Sequence, residues 1–303
     1  MTVDSTVEPL LASIAKAERH MRSEYGTNMV GVMDTVGACP HFVMPLGPGN
    51  VTVLSGWDNI DAMYKASVNN AVPKASRVLS QLATDWYVFI ENVPTRYWVE
   101  PARPMTAHTV TMFVTDDANG ITGEYAWQRS YPPVDAARAN GAVPLPERAL
   151  ANLEKHEMLL EAICKGDSEA LAALLAPECI WAQRDYLNET EGGNVLNLRG
   201  RTAAASYVGR WHAALRPQHV SIVNRRVTDW YVFSEELWLL LPDGGDPRQC
   251  RTATIYPLTQ DGLFEGALGF GRDMEDPAPS AHKKLGQAFW TEPGVAIDAV
   301  ERH

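Results

Sequence analysis

Cysteine is scarce in this chain: four in 303 residues (Cys39, Cys164, Cys179, Cys250), with no Cys-x-x-Cys spacing. That excludes a disulfide-framed scaffold or a zinc ribbon; it fits reduced, mostly buried thiols, with the cytoplasm as the expected compartment. Basic residues are also in short supply. Lys and Arg number 26 against 37 Asp and Glu, a net charge of −11, which argues against nucleic acid or an anionic membrane as partner. No apolar run approaches the ~20 residues that span a bilayer, and no basic stretch leading into an apolar one marks a secretory leader. There is no phosphate loop or dinucleotide fingerprint, no nucleophile elbow and no metal-spaced His/Asp/Glu cluster. Redox and phosphoryl chemistry are disfavoured, and no cofactor or metal is expected.

What is present is an ordinary globular composition, 46% hydrophobic and 21% charged, and a repeat. Thr-Asp-Trp-Tyr-Val-Phe occurs at 84–89 and again at 228–233. At the same offset of 144, Gly49-Asn50-Val51 meets Gly193-Asn194-Val195, Leu54 meets Leu198, Gly56 meets Gly200, Pro73 meets Pro217 and Glu91 meets Glu235. Such a match marks a duplicated domain rather than a solenoid, whose period is 20–50 residues. Upstream the register changes, so that Gly26 pairs with Gly166 and Cys39 with Cys179. Downstream, Val114 meets Leu258 and Gly120 meets Gly262. The expected domains are 1–135 and 146–275, followed by a tail at 276–303 without a counterpart. Its apolar patch, Leu285 to Trp290, suits docking on some surface.

Each half reads as three helices and then a run of strands, an α+β pattern. In the second half, Pro146 opens a helix to about Cys164 and Ser168–Leu175 follows. Then come a strand at Cys179–Gln183, a polar loop at 184–199 and a helix at Arg201–Leu215. Strands are expected at Val220–Val227, Trp230–Leu241, Arg251–Leu258 and Leu263–Gly271. The first half has helices at Glu8–Glu24, Asn28–Val36 and Asp58–Ala71, with strands at Cys39–Met44, Ser76–Leu82, Trp86–Val93, Met105–Val114 and Ile121–Arg129. The repeated hexapeptide is then a turn, opened by Thr-Asp, feeding an aromatic strand.

Gly56 and Gly200 before the third helix, the "strand, Thr-Asp turn, aromatic strand" segments at 76–91 and 220–235, and the turns into the strands at Ile121 and Leu263 resemble the SnoaL-like branch of the nuclear transport factor 2 superfamily. The resemblance covers nearly the whole chain, twice, except the tail. It implies two tandem cones, each with three helices in a strongly bent antiparallel sheet around an apolar pocket, packed as an internal pseudo-dimer. It is also compatible with a homodimer of tandem chains. The superfamily includes isomerases, cyclases, dehydratases and other cofactor-independent lyases as well as binding and scaffold proteins, and fold alone does not choose among them. The base carboxylate of its ketosteroid isomerases would fall at Met44-Pro45 in the first half and near Asp185 in the second.

Residues that differ between the halves are therefore the candidates for chemistry. His41 and His108 stand in strands of the first half, where the second half has Trp181 and Thr252 at these alignments. Histidine is the usual general base near neutral pH. The last strand of the first half alternates, placing Glu124, Ala126 and Gln128 on one face and Tyr125, Trp127 and Arg129 on the other. Glu124 in a half-apolar pocket suits an acid, and Arg129 suits a developing oxyanion. Trp86, Tyr97, Trp98, Trp127, Asp185 and Trp211 are candidate substrate contacts. Each of these residues also fits a plain role in core or surface. The expected activity is a lyase, dehydratase or isomerase acting by proton transfer on a small apolar ring compound, such as a polyketide, a steroid-like molecule or a lignin-derived aromatic. A non-catalytic binding protein is the alternative.

Overall fold

The computed structural model describes residues 7–98, 103–116, 120–131, 146–183, 187 and 196–274; Asp185 and the apolar patch of the tail lie outside them. The chain divides into two compact units between residues 142 and 143. Unit 1 contains α1 (Glu8–Tyr25), α2 (Met29–Met33), β1 (Val36–Gly47), β2 (Asn50–Ser55), α3 (Trp57–Asn70), β3 (Ala71–Ala83), β4 (Tyr87–Trp98), β5 (Arg103–Thr106), β6 (Thr109–Asp116) and β7 (Gly120–Gln128). Unit 2 contains α4 (Pro146–Lys165), α5 (Ser168–Leu174), β8 (Leu175–Ala182), β9 (Leu198–Arg199), α6 (Arg201–Leu215), β10 (Pro217–Val227), β11 (Tyr231–Leu240), β12 (Arg248–Pro257) and β13 (Phe264–Met274). None of the helices among the described residues is long and apolar enough to cross a membrane.

The sheet orders match. Unit 1 runs β2-β1-β7-β6-β4-β3, with β5 also on β4, and unit 2 runs β9-β8-β13-β12-β11-β10. Both sheets are mixed rather than wholly antiparallel: β1 lies parallel to β7, and β8 parallel to β13. The reason is connectivity. The first strand of each unit leaves a helix pair and meets the last strand across the whole domain, so no hairpin forces the two to run in opposite directions. The stretch at 50–55, Asn-Val-Thr-Val-Leu-Ser, where no strand is expected, pairs with β1 as an edge strand.

Local chemistry explains the common frame. The buried positions of α1 (Leu10, Ser13, Ala17, His20, Met21) recur every three or four residues, which presents one face to the sheet. Gly56 and Gly200 precede the third helix of each unit with φ of +85° and +89°, a region that L side chains adopt only at a cost. In the repeated hexapeptide the threonine ties the turn. The Thr84 hydroxyl oxygen accepts from the backbone N–H of Trp86 and Tyr87 at 3.3 and 3.2 Å, and Thr228 does the same for Trp230 and Tyr231 at 3.3 and 3.1 Å.

The cores sit between helices and sheet. In unit 1, Leu10, Ala17 and Met21 of α1 and Ile60 and Tyr64 of α3 pack on Phe42, Val88, Ile90 and Phe113. Unit 2 is larger and more aromatic there, with Trp181, Tyr207, Trp211, Trp238 and Tyr256 in one cluster. Cys179 belongs to it, and burial pushes its thiol from 9.0 to about 11, with Arg201 opposing and Glu178 adding to the shift. Because the folded thiol keeps its proton where the unfolded one has lost it, stability falls as pH rises from about 9 to about 11. A Cys179→Ala variant should show a shallower fall of the urea midpoint over that window; an unchanged slope would remove Cys179 as a cause.

Candidate functional site

Strand pairing identifies corresponding positions in the two units. In unit 1, Phe42, Glu124, Phe113 and Val88 stand side by side across β1, β7, β6 and β4. In unit 2 the same row is Trp181, Ala267, Tyr256 and Val232, Ala267 being next to Leu268, which pairs with Ile255. This row faces the helices. The carboxylate of Glu124 thus has alanine as its counterpart, and Phe113 has Tyr256.

The correspondence corrects two alignments made from sequence. From β6 onward the offset is 143 rather than 144, so His108 matches Arg251, not Thr252. In the first strand it is 139, so His41 matches Ile180, not Trp181. Gly56 N–H donates to the Pro40 carbonyl and Gly200 N–H to that of Cys179, which independently gives the same offset of 139 for β1 and β8.

His41, His108, Arg129 and Trp127 stand on the face of the sheet away from the helices, opposite to Glu124. His41 is buried, with its Nδ1 3.1 Å from Ser55 Oγ. His108 Nε2 is 3.0 Å from Glu91 Oε1 on the neighbouring strand. Its counterpart Arg251 has Nη2 2.6 Å from Glu235 Oε1, and Glu235 is the repeat of Glu91. His108 therefore stands in unit 1 where arginine stands in unit 2, each against the same carboxylate. Arg129 donates from Nε to the Tyr131 carbonyl at 3.0 Å, with its guanidinium 4.6 Å from that ring. Trp86 sits in the hairpin turn, edge-on to Tyr87 at 4.9 Å. Tyr97 and Trp98 end β4; their side chains, like all of Asp185, fall outside the described part.

Glu124 keeps different company. Tyr64 of α3 donates to its Oε2 at 2.8 Å, and His20 of α1 brings Nε2 to 2.8 Å from the same phenol oxygen and 3.4 Å from the carboxylate. His20 Nδ1 lies 2.6 Å from Thr35 Oγ1, whose proton goes to the Val32 carbonyl at 2.6 Å. The Thr35 oxygen must then accept, so His20 Nδ1 carries a proton. If Tyr64 donates to Glu124, His20 Nε2 must donate to Tyr64; if Tyr64 donates to His20, the Glu124 carboxyl must donate to Tyr64. In either arrangement one proton is shared along the chain of three.

Unit 2 contains a cavity of about 420 Å³, its open mouth included, walled by Trp181, Trp211 and Trp238, Tyr207 and Tyr256, Ile163, Val208, Gln183, Thr252 and Thr254. Trp211, a candidate from sequence, forms part of this wall, edge-on to Trp238 at 5.5 Å. Behind it lies Glu236, fully buried. Thr252 donates to its Oε2 at 2.5 Å, Tyr256 to its Oε1 at 3.3 Å, and Trp238 Nε1 donates to Thr252 at 3.0 Å. The Tyr256 phenol is pushed well above 10 by burial and then by the charge of Glu236, so it stays a donor. His156 of α4, also fully buried, has Nε2 3.7 Å from Glu236 Oε1 and its ring 5.0 Å from that of Tyr256. Its two nitrogens and the Trp181 indole N–H have no hydrogen-bond partner among the described residues.

The helix histidines His20 and His156, together with Tyr64, Glu236 and Tyr256, went unselected from sequence. A usable signal existed for His20, which falls on the apolar face of its helix. Glu236 was hidden, because in β11 it follows Glu235 and nothing in the sequence says which of the two turns inward.

Three helices, a helix-facing sheet, a glycine before the third helix and a first strand lying beside the last recur in both units. The chain folds as two α+β units of the same topology in tandem. Solved structures are similar to it at low identity. A ketosteroid isomerase-like protein from Erwinia carotovora atroseptica is 13% identical, covering 42% of this chain and 98% of its own, with a TM-score of 0.34. An NTF2-like protein from Burkholderia xenovorans gives 10%, 44%, 98% and 0.34. A Mycobacterium tuberculosis protein crystallised with estradiol-17beta-hemisuccinate gives 17%, 39%, 91% and 0.34. No protein-family model and no curated protein matches the chain.

Proposed function

We propose that the chain is a cofactor-independent acid–base enzyme of the lyase, dehydratase or isomerase kind, and that unit 2 takes a small, mostly apolar ring compound into its cavity. The observation that supports this most directly is the wall itself. Three indoles and two phenols offer flat apolar surface, and Thr252, Thr254 and Tyr256 form one row of hydroxyls backed by the buried Glu236. A ring oxygen of the substrate takes the hydrogen bond that Tyr256 now gives to Glu236 at a long 3.3 Å. A proton leaving an adjacent carbon passes to Thr252 Oγ1 while the Thr252 proton passes to Glu236, and the electron pair moves onto the oxygen held by Tyr256. The Trp181 N–H is a further donor for an oxygen-bearing ring.

Mass spectrometry of compounds that co-purify with the chain should recover such a molecule. The model phenol 2-naphthol should quench tryptophan fluorescence, and Trp211→Ala should weaken that binding about tenfold, consistent with the loss of an aromatic stack. Tyr256→Phe should lower turnover of the recovered compound ~10²–10³-fold. Unchanged quenching in Trp211→Ala would end the assignment of this cavity.

A binding-only role draws on one specific observation: no carboxylate or imidazole is among the described residues that line the cavity. It would show as a Tyr256→Phe variant with weakened affinity and no turnover in either protein.

A further inference from the structure

Burial places the mouth of the unit 2 cavity. Among the described residues that wall it, Gln183 and Thr252 are half-buried and the other eight are buried. Gln183 directly follows β8, and Thr252 stands in β12. β13 runs between those two strands, with Leu268 beside Ala182 and Gly271 beside Thr252. It ends three residues later, at Met274. The chain therefore leaves unit 2 from the rim of the mouth.

The same end of the sheet carries apolar surface. Gln249 pairs with Leu239 on one side and with Met274 on the other. Leu239 and Leu241 are 39% and 42% exposed. The Leu241 N–H donates to the Leu215 and Arg216 carbonyls, which sets it at the end of α6, one turn beyond Trp211. Inside the mouth, Trp181 stands one row below Gln183 on the same face of β8. Its indole N–H is buried and has no hydrogen-bond partner among the described residues.

The sequence after Met274 suits this place. Ten residues intervene, Glu275 to Lys284, charged at both ends and holding Pro277 and Pro279. Fully extended they reach ~33–36 Å, whereas β13 overshoots the rim by only three residues, about 10 Å. Then comes Leu285-Gly286-Gln287-Ala288-Phe289-Trp290, the apolar patch of the tail.

We propose that this patch returns to the mouth of the unit 2 cavity as a lid. The Phe289 and Trp290 rings cover Leu241 and pack on Trp211 and Trp238, and a backbone carbonyl of the patch accepts from the Trp181 N–H. A ligand must displace the lid to enter. Tethering by a short linker holds the patch at an effective concentration in the millimolar range, so a weak contact is enough to keep it seated. A lid closed about nine-tenths of the time weakens apparent ligand affinity about tenfold. Its effect on ligands rests on the unit 2 cavity being the ligand site; its docking does not.

The first test needs no ligand. Phe289 of the full chain is replaced by the photocrosslinker p-benzoylphenylalanine, and the chain is irradiated in dilute solution. Mass spectrometry of the digest should find position 289 joined, within one chain, to peptides carrying Gln183, Trp211, Leu241 or Thr252. Crosslinks confined to unit 1, or formed only between two chains, would overturn the proposal. The second test compares the unaltered chain with the double variant Phe289→Ser, Trp290→Ser by isothermal titration calorimetry, since Trp290 is itself a fluorophore. The variant should bind 2-naphthol about tenfold tighter, with circular dichroism unchanged. Equal affinity in the two would overturn the lid. If neither binds 2-naphthol, the ligand assignment of unit 2 fails, and the crosslink alone decides where the patch docks.

Discussion

Replacing Arg251 by alanine should destabilise unit 2 by about 3–5 kcal/mol, the usual penalty for removing one partner of a buried ion pair. Arg251 and Glu235 are almost wholly buried, on the face of the sheet away from the helices. Asn224 Nδ2 donates to the other Glu235 oxygen at 2.6 Å, yet an amide does not cancel a charge. The remaining carboxylate would stay in a low-dielectric setting without the Arg251 charge, and that loss of compensation accounts for most of the destabilisation. Urea unfolding followed by far-ultraviolet circular dichroism measures it; a loss under about 1 kcal/mol would mean that the pair behaves like an exposed one. The parallel variant in unit 1, His108→Ala, should lose stability in the same direction. The two results together would show that His108 and Arg251 fill one role in the two copies, a role in holding β4 to β6 and β11 to β12.

That equivalence shows where the sequence is legible and where it stops being so. The duplication, the three helices and the aromatic hairpin are written locally, in a repeated hexapeptide, in apolar spacing along helices and in glycines before the third helix. The faces of the last strand are legible too, because alternation alone separates Glu124 from Trp127 and Arg129. What fails is register across gaps. A single residue of slip in β6 exchanges the two faces of a strand, and it turned Arg251, the counterpart of His108, into Thr252. His108 then had no visible counterpart, although Arg251 meets Glu235 as His108 meets Glu91. The polar clusters fail for a different reason. Glu124, Tyr64 and His20 come from β7, α3 and α1, with 60 residues between the first two and 44 between the last two, and nothing local signals that they meet. The cavity in unit 2 is likewise a property of packing: Val208 is unremarkable in a helix until its neighbours are in place.

Val208→Tyr should abolish ligand binding in unit 2, weakening the 2-naphthol titration by 100-fold or more. Position 208 on α6 corresponds to Tyr64 on α3, since Gly200 and Gly56 begin the two helices in the same way. In unit 1 the tyrosine ring projects into the cone and is held by Glu124. In unit 2 the same ring would enter the mouth of the cavity that Val208 lines, with an overpacking cost of about 1–3 kcal/mol. Its hydroxyl is the difficulty, for the residue in the place of Glu124 is Ala267, and an unsatisfied buried hydroxyl costs about 1–3 kcal/mol. The double variant Val208→Tyr with Ala267→Glu supplies the missing acceptor. It should recover part of that stability while leaving the cavity filled and 2-naphthol unbound. Stability and binding therefore separate: the second substitution restores one and not the other. If Val208→Tyr instead binds 2-naphthol within threefold of the unaltered chain, the space beside Val208 is not where the ring sits, and the unit 2 site must lie elsewhere along the same sheet.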